Sequence, residues 1–443
     1  MKKNYKRLLG SCVFMLSVVG LAHADEMKTP YGAEYSGSAD GFIPAWQGGQ
    51  DNKHTFGPEL LNKQPLYTVD ASNLDEHRSS IPDGLQSLLE KYPASMKVPV
   101  YQSHRPAYYP DWVYQAIEKN KASATLANDG NSVVQAFPGI PFPDPKNGHQ
   151  AVWNHLLAFK GVQLESNTWE VVVRKDRQSG VITSNIKYSV GYYQKTRGPS
   201  DEDQMLMYLL STVTSPSRLS GSALLVHEPV NTSVVSREAW SYVAGQRRVM
   251  RAPSIKYDSP LPSAEGIRLA DEFDLYSGSV DHYQWRLVGK QALIVPYNNE
   301  RLYQSLAEFE SSQDTLLTPY HPNPDMLRYE KHRVWVVEGV LNEGKSHPYQ
   351  RRVLYLDEDS WLALMAENYD QEGRLWRVST SYSKFYHELP GVYKVADVFH
   401  DLTEEAYYVQ GLLIKEGRAI KTQDSVAKKS KFKPSVLRRL GRK

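Results

Sequence analysis

The chain has 443 residues, 41% hydrophobic and 23% charged, which is globular composition for one large domain or two ordinary ones. A formal net charge of +2 argues against nucleic acid or another bulk electrostatic partner. Cys12 is the only cysteine, which excludes disulfides within the chain and cysteine metal clusters.

Lys2, Lys3, Lys6 and Arg7 precede an apolar run from Leu8 to Leu21 and a small-x-small site at Ala22-His23-Ala24. Residues 1–24 therefore read as a secretory signal, with maturation near Asp25 in the periplasm and removal of Cys12. The run is shorter than the roughly 20 residues a membrane span needs. A lipobox-like Leu9-Gly10-Ser11-Cys12 has almost no apolar segment ahead of it. Residues 25–160 are expected to form an arm and helices that pack on or plug a sheet. The arm, around Phe42, Ile43 and Trp46, is irregular but too apolar to stay in water. Helices are predicted from Pro82, with Leu85, Leu88, Leu89 and Tyr92 on one side, and from Asp111 to Ala122. A third spans His149 to Phe159, after a proline-rich loop from Phe137 to Gly148.

From Val162 the period falls to two. Strands are expected at Thr168 to Arg174, Val181 to Tyr193, Gln204 to Thr214, Ser222 to His227, Ala239 to Val243, Arg247 to Arg251 and Tyr283 to Pro296. A meander follows at Arg333 to Leu341, Arg351 to Leu356, Trp361 to Tyr369 and Arg374 to Tyr382. Residues 161–424 thus give a mainly β protein with helices, an α+β class built on one large antiparallel sheet. In Trp361 to Tyr369, Trp361, Ala363 and Met365 share one face, and Leu362, Leu364 and Ala366 the other. Both faces are apolar, so both are expected to be covered, or one to curl around an apolar cavity. Residues 425–443 form a basic tail whose Val436, Leu437 and Leu440 share a helical face. It is a candidate for weak contact with an anionic membrane.

Signatures of catalysis are missing: no His-Glu-x-x-His, phosphate loop, Gly-x-Ser-x-Gly or dinucleotide fingerprint occurs. No catalytic residue, metal or cofactor is assigned. His321 near Asp325, and His227-Glu228, are the nearest approach to ligand groups. The acidic clusters Asp201-Glu202-Asp203 and Asp357-Glu358-Asp359 could supply an acid/base pair, with solvated turns as the plainer reading. Ligand candidates are Trp240, Tyr242, Trp285, Trp335, Trp361 and Trp376, a possible aromatic wall, with sheet core as the plainer reading of any one. Arg247 and Arg251, opposed by Arg248, could hold an anionic headgroup or simply charge a hairpin edge.

Several segments carry a family resemblance. They are Ala39-Asp-Gly-Phe-Ile-Pro-Ala-Trp-Gln-Gly-Gly49, Gly139-Ile-Pro-Phe-Pro-Asp-Pro-Lys-Asn-Gly148 with Val152-Trp-Asn-His155, and Trp240 through Pro253. Tyr283-Gln-Trp-Arg-Leu-Val-Gly289, Val295-Pro-Tyr-Asn298 and Phe432 through Gly441 continue them. The chain resembles domain-of-unknown-function family 1329, periplasmic proteins of Gram-negative bacteria. The resemblance implies a fold like that of the Lol lipoprotein carriers, a twisted, unclosed half-barrel around an apolar cavity plugged by helices. It also implies association with an exporter of the resistance-nodulation-division type and an outer-membrane barrel protein. The resulting expectation is a non-enzymatic carrier of a lipid or other hydrophobic molecule. The alternatives are a structural adaptor whose concavity is filled by its own N-terminal segments, and a hydrolase without a recognisable motif.

Overall fold

β-Branched and aromatic runs from Gln163 onward pair into one sheet, joined at its margin by two short strands from the N-terminal third. The computed structural model describes residues 27–48, 58–61, 63–198, 205–232, 235–251, 256–414 and 418–440. The expected signal segment, Cys12 and the run Asp201-Glu202-Asp203 lie outside the described residues. The strands are β1 (Tyr67–Val69), β2 (Val98–Tyr101), a separate hairpin β3 (Thr125–Ala127) and β4 (Ser132–Val134), β5 (Gln163–Val173), β6 (Ile182–Ser189), β7 (Met205–Ser215), β8 (Ala223–Pro229), β9 (Glu238–Val243), β10 (Arg248–Arg251), β11 (Tyr283–Pro296), β12 (Tyr329–Leu341), β13 (Arg351–Asp357), β14 (Ala363–Tyr369), β15 (Leu375–Tyr386), β16 (Gly391–Asp401), β17 (Ala406–Leu413) and β18 (Ile420–Gln423). The helices are α1 (Pro58–Leu61), α2 (Leu74–His77), α3 (Asp83–Lys91), α4 (Asp111–Ser123), α5 (Gly148–Leu156), α6 (Glu300–Ser305), α7 (Phe309–Leu316) and α8 (Pro434–Leu440).

The sheet has 16 strands in the order β1-β2-β12-β13-β14-β15-β16-β17-β5-β6-β7-β8-β9-β10, with β11 pairing β12 and β18 pairing β5. It is not closed into a barrel: β10 pairs only β9 and β11 only β12. The pairing is antiparallel throughout residues 161–424, as expected, while β2 from the N-terminal third runs parallel to β12 at Val100 and Tyr101. A parallel neighbour requires a long connection, and the chain between β2 and β12 supplies one. Two central strands, β16 and β17, were not among the sequence expectations, and β5 begins ahead of the expected Thr168.

Both faces are covered. On one, Leu85, Leu88 and Leu89 of α3 pack with Val353, Val378 and Val398. On the other, Val113 and Ile117 of α4 and Val152 and Trp153 of α5 pack with Val337, Leu354 and Phe399. The α3 stripe is the predicted one, because leucines at helical spacing have a single apolar surface to bury. Within β14 the expected faces are corrected. Tyr355 pairs Met365 and Leu356 pairs Ala363, so Leu364 is an extra, bulged residue. Leu364 and Met365 therefore both join the α3 side, while Ala363 and Ala366 join the α5 side.

The basic C-terminal segment docks on the sheet. Phe432 and Leu437 are buried against Leu210, Leu225 and Tyr242, and Val436 and Leu440 pack at the edge of the same cluster. Lys428, Lys429, Lys431, Lys433, Arg438 and Arg439 stay exposed. The apolar stripe expected to meet a membrane faces the protein itself, so any such contact would fall to the basic side chains alone. Leu437→Ala should cost about 2–5 kcal/mol in urea unfolding of the full chain, as for a buried leucine. A cost below about 0.5 kcal/mol, the usual range for surface substitutions, would show that the segment adds nothing to the fold.

Candidate functional site

The concave side of β6, β7 and β8 is left partly uncovered. Tyr188 of β6, Met207 of β7 and Glu228 of β8 face α5 and the segment 256–282 across an apolar cleft, about 850 Å³ when the solvent at its open mouth is counted. Trp153 and Leu156 of α5, Tyr193, Val230, Phe273 and Tyr276 complete its apolar wall. A second chamber adjoins it, sharing Met207, Glu228, Phe273 and Ser277, and is more polar, with Glu170, Arg237 and Arg268 in its wall. A bulge at Leu206 shapes the junction, because Met205 pairs Pro229 and Met207 pairs Glu228. Leu206 and Met207 consequently both reach the cleft.

Charged groups at the cleft are mostly spent on one another. Asp274 accepts from Lys160 at 2.7 Å and Lys394 at 3.0 Å. Glu228 accepts from the Tyr257 hydroxyl at 2.7 Å, and Glu170 from the Tyr408 hydroxyl. Burial raises the carboxyls of both Glu170 and Glu228, against the hydrogen bonds and guanidinium charges that lower them.

None of the eight ligand candidates lines this cleft among the described residues. Trp240 pairs Leu225 and Tyr242 pairs Ala223, and paired residues share a face. That face carries the C-terminal segment, while Leu224, Val226 and Glu228 point the other way, into the cleft. Arg247 sits in the hairpin turn at φ 54° and Arg251 pairs with Glu238 on the exposed β10 edge, so both charge an edge. Trp335 and Trp361 stack with ring centroids 5.8 Å apart. Trp361 lies in a turn at φ 61° and donates its indole N–H to the Tyr31 carbonyl at 3.0 Å, which ties down the N-terminal arm. Trp285 supports Tyr276 from behind, at 5.0 Å between rings. Trp376 is half-buried and donates to Asp401 at 3.0 Å.

The turn Asp357-Glu358-Asp359 is not solvated, which corrects the sequence expectation: its residues are 0%, 2% and 4% exposed. The arm covers it. Arg105 grips both oxygens of Asp359, at 2.9 and 2.7 Å. Lys290 bridges Glu358 and Glu34, both at 2.9 Å, and Arg333 reaches the same two carboxylates. Asp357 alone has no cation. One oxygen accepts from Tyr297 and Ser360, and the other has no partner. Burial, then the charge of Asp359, push its carboxyl well above the usual range. His332, Asp357 and Asp359 could hold a metal ion by spacing, but Arg105 already occupies both oxygens of Asp359.

The histidine pairs separate. His227 bonds the Phe432 carbonyl at 2.7 Å on the outer face, and Glu228 faces the cleft. His321 uses one nitrogen on Ser95 and the other on the Pro322 carbonyl. The cleft residues missed by sequence reasoning had one available signal. Met205 to Leu210 is apolar on both faces of a strand, which requires two covers. Arg237 and Arg268 lie outside any periodic run and had none.

The chain belongs to the family described as Protein of unknown function (DUF1329), whose profile matches residues 68–438. An uncharacterized protein of Pseudomonas aeruginosa is 34% identical over 457 residues, 99% of each chain. Among solved structures, a putative outer membrane lipoprotein-sorting protein domain from Vibrio parahaemolyticus is 15% identical with a TM-score of 0.45, covering 65% of this chain and 97% of that one. A DUF1329 family protein from Desulfovibrio piger gives 14%, 0.43, 63% and 92%, and a LolA superfamily protein from Nitrosomonas europaea gives 12%, 0.40, 65% and 98%.

Two substitutions test the ion cluster. Arg105→Met leaves Asp359 buried without its cation and should cost about 3–5 kcal/mol of stability. Asp357→Asn should act in the opposite sense. A carboxyl whose folded pKa is raised keeps a proton that the unfolded chain gives up, so its contribution to stability falls as pH climbs from about 4 toward neutrality. Melting temperature against pH should therefore decline less steeply for Asp357→Asn than for the wild type in that window. Parallel curves would show that Asp357 is ionised in the fold.

Proposed function

We propose that this protein is a periplasmic carrier that shelters a lipid or other hydrophobic molecule in the cleft between β6–β8, α5 and the segment 256–282. The observation that carries the reading is the cleft itself. Its wall is mostly aromatic and aliphatic with a few polar groups at one end, which is the lining of small-molecule sites. No catalytic constellation accompanies it among the described residues. The role is binding rather than turnover. Cargo would pass between an inner-membrane exporter of the resistance-nodulation-division type and an outer-membrane barrel protein, the partners implied by the family resemblance.

The adaptor alternative has a specific observation in its favour: the N-terminal arm fills the part of the concavity beside Trp335 and Trp361. It leaves the cleft around Tyr188 and Tyr276 open. Organic extraction of the purified protein followed by mass spectrometry should recover an amphiphile near one per chain. A neutral apolar dye should bind the extracted protein with a dissociation constant near micromolar, about −8 kcal/mol. Leu206→Trp, which adds bulk at the cleft junction, should weaken the dye about tenfold or more, a loss of about 1.4 kcal/mol, with the melting temperature unchanged. Protein that yields no amphiphile and takes up no dye would favour the adaptor.

A further inference from the structure

The carrier reading leaves the chemistry of the cargo open, and the polar chamber restricts it. Arg268 is 4% exposed and lies 5.1 Å over the Phe399 ring, with one nitrogen donating to Gln410 at 3.1 Å. Its Nε has no acceptor among the described residues. Arg237 stands 3.0 Å from Glu228 as an ion pair and 5.1 Å over Tyr257. Its Nε is the nitrogen that faces Glu228, and its Nη1 has no acceptor among the described residues. Other buried guanidinium nitrogens lack acceptors, as in Arg352, but that side chain is clamped on Asp271. Arg237 and Arg268 instead border open volume.

Guanidinium stays charged at any accessible pH and has no acceptor capacity of its own. The carboxyls nearby cannot fully serve it: Glu228 and Glu170 also take hydroxyl hydrogen bonds from Tyr257 and Tyr408. Burial also biases both toward the neutral form. The chamber therefore has donors in surplus beside an apolar chamber whose Lys160, Tyr193 and Thr232 are engaged on Asp274, the Leu157 carbonyl and Ser279. A fork of N–H groups next to such a wall fits a carboxylate or phosphate attached to a hydrocarbon.

We propose, resting on the carrier reading, that the cargo is an anionic amphiphile whose tail lies between Tyr188, Val230 and Tyr276 and whose carboxylate or phosphate head meets Arg237 and Arg268. Glu228, lining both chambers, marks where head and tail join.

The test uses the extracted full chain loaded with N-phenyl-1-naphthylamine, a neutral dye. Hexadecanoate, hexadecyl phosphate, hexadecanol and inorganic phosphate are titrated against it, the amphiphiles below their micelle concentrations. Both anionic amphiphiles should displace dye at about tenfold lower concentration than hexadecanol, and inorganic phosphate alone should not displace it. Arg237→Gln and Arg268→Gln should each remove most of that preference while leaving hexadecanol unchanged. Should Arg268→Gln fail to fold, Arg237→Gln, at a partly exposed side chain, decides the matter alone. Hexadecanol equal to the anions would overturn the headgroup assignment and leave the carrier reading standing. An anion preference that survives both substitutions would also overturn it, and so would displacement by inorganic phosphate. Dye that never enters would remove the carrier reading and this inference together.

Discussion

A strand has two faces, and in this sheet both are apolar along most of its strands. Water must therefore be excluded twice, and the architecture is a set of answers to that demand. The helix α3 covers one face opposite β13 to β15, and α4 and α5 cover the other. Where the strands run on past these helices, the chain spends its C-terminal segment on the outer side of β7 to β9. Among the described residues, the inner side of β6 to β8 is left without an element that closes down fully. The cleft is thus what remains after the covers have been assigned. At about 25 cal/mol per Å² of apolar surface, leaving such a wall wet is costly unless something occupies it.

Several of the covering pieces are irregular, and irregular chain cannot anchor itself through a backbone ladder. Buried charge does that here. The arm is held through Glu34, whose carboxylate meets Lys290 and Arg333 while its carbonyl accepts from Arg105. The segment 256–282 is held by Asp271 on Arg352, at 2.6 Å, with Glu272 bonded to Asn368. Ion pairs taken out of water roughly repay their desolvation, so these contribute little net stability. Their effect is on placement, because a slip of the arm would strip Lys290 and Arg333 of one of the two carboxylates each holds. Since that same segment supplies Phe273 and Tyr276, one wall of the cleft is fixed in advance.

Much of the fold was legible in residue periodicity. The leucine stripe of α3 and the span of β11 emerge as expected, since leucine at helical spacing and the sharply bounded run Tyr283–Pro296 have few alternative placements. The sites were less legible, for a geometric reason. Alternation says that Trp240 and Tyr242 share a face but not which face, and only the pairing with Leu225 and Ala223 settles it. Bulges make matters worse. At Leu364 and at Leu206 one extra residue reassigns its neighbours, and neither position carries a glycine to announce it. Asp357-Glu358-Asp359 has the composition of a solvated turn, and its burial depends on Arg105, more than 250 positions away in the chain.

The distribution of aromatic and charged groups also bears on what the concavity is for. If internal filling were the whole purpose, Trp335 and Trp361 under the arm show how this sequence achieves it: rings stacked and the indole of Trp361 bonded to the Tyr31 carbonyl. Around Tyr188 and Tyr276 the same chain keeps an aromatic wall without that closure, and sets guanidinium groups at its polar end. A chain able to close one half of its concavity with its own residues has, in the other half, paired unfilled apolar space with uncommitted donors. Fold stability gains from neither, since burying an unpaired donor is unfavourable. A molecule that is apolar at one end and an acceptor at the other relieves both costs at once.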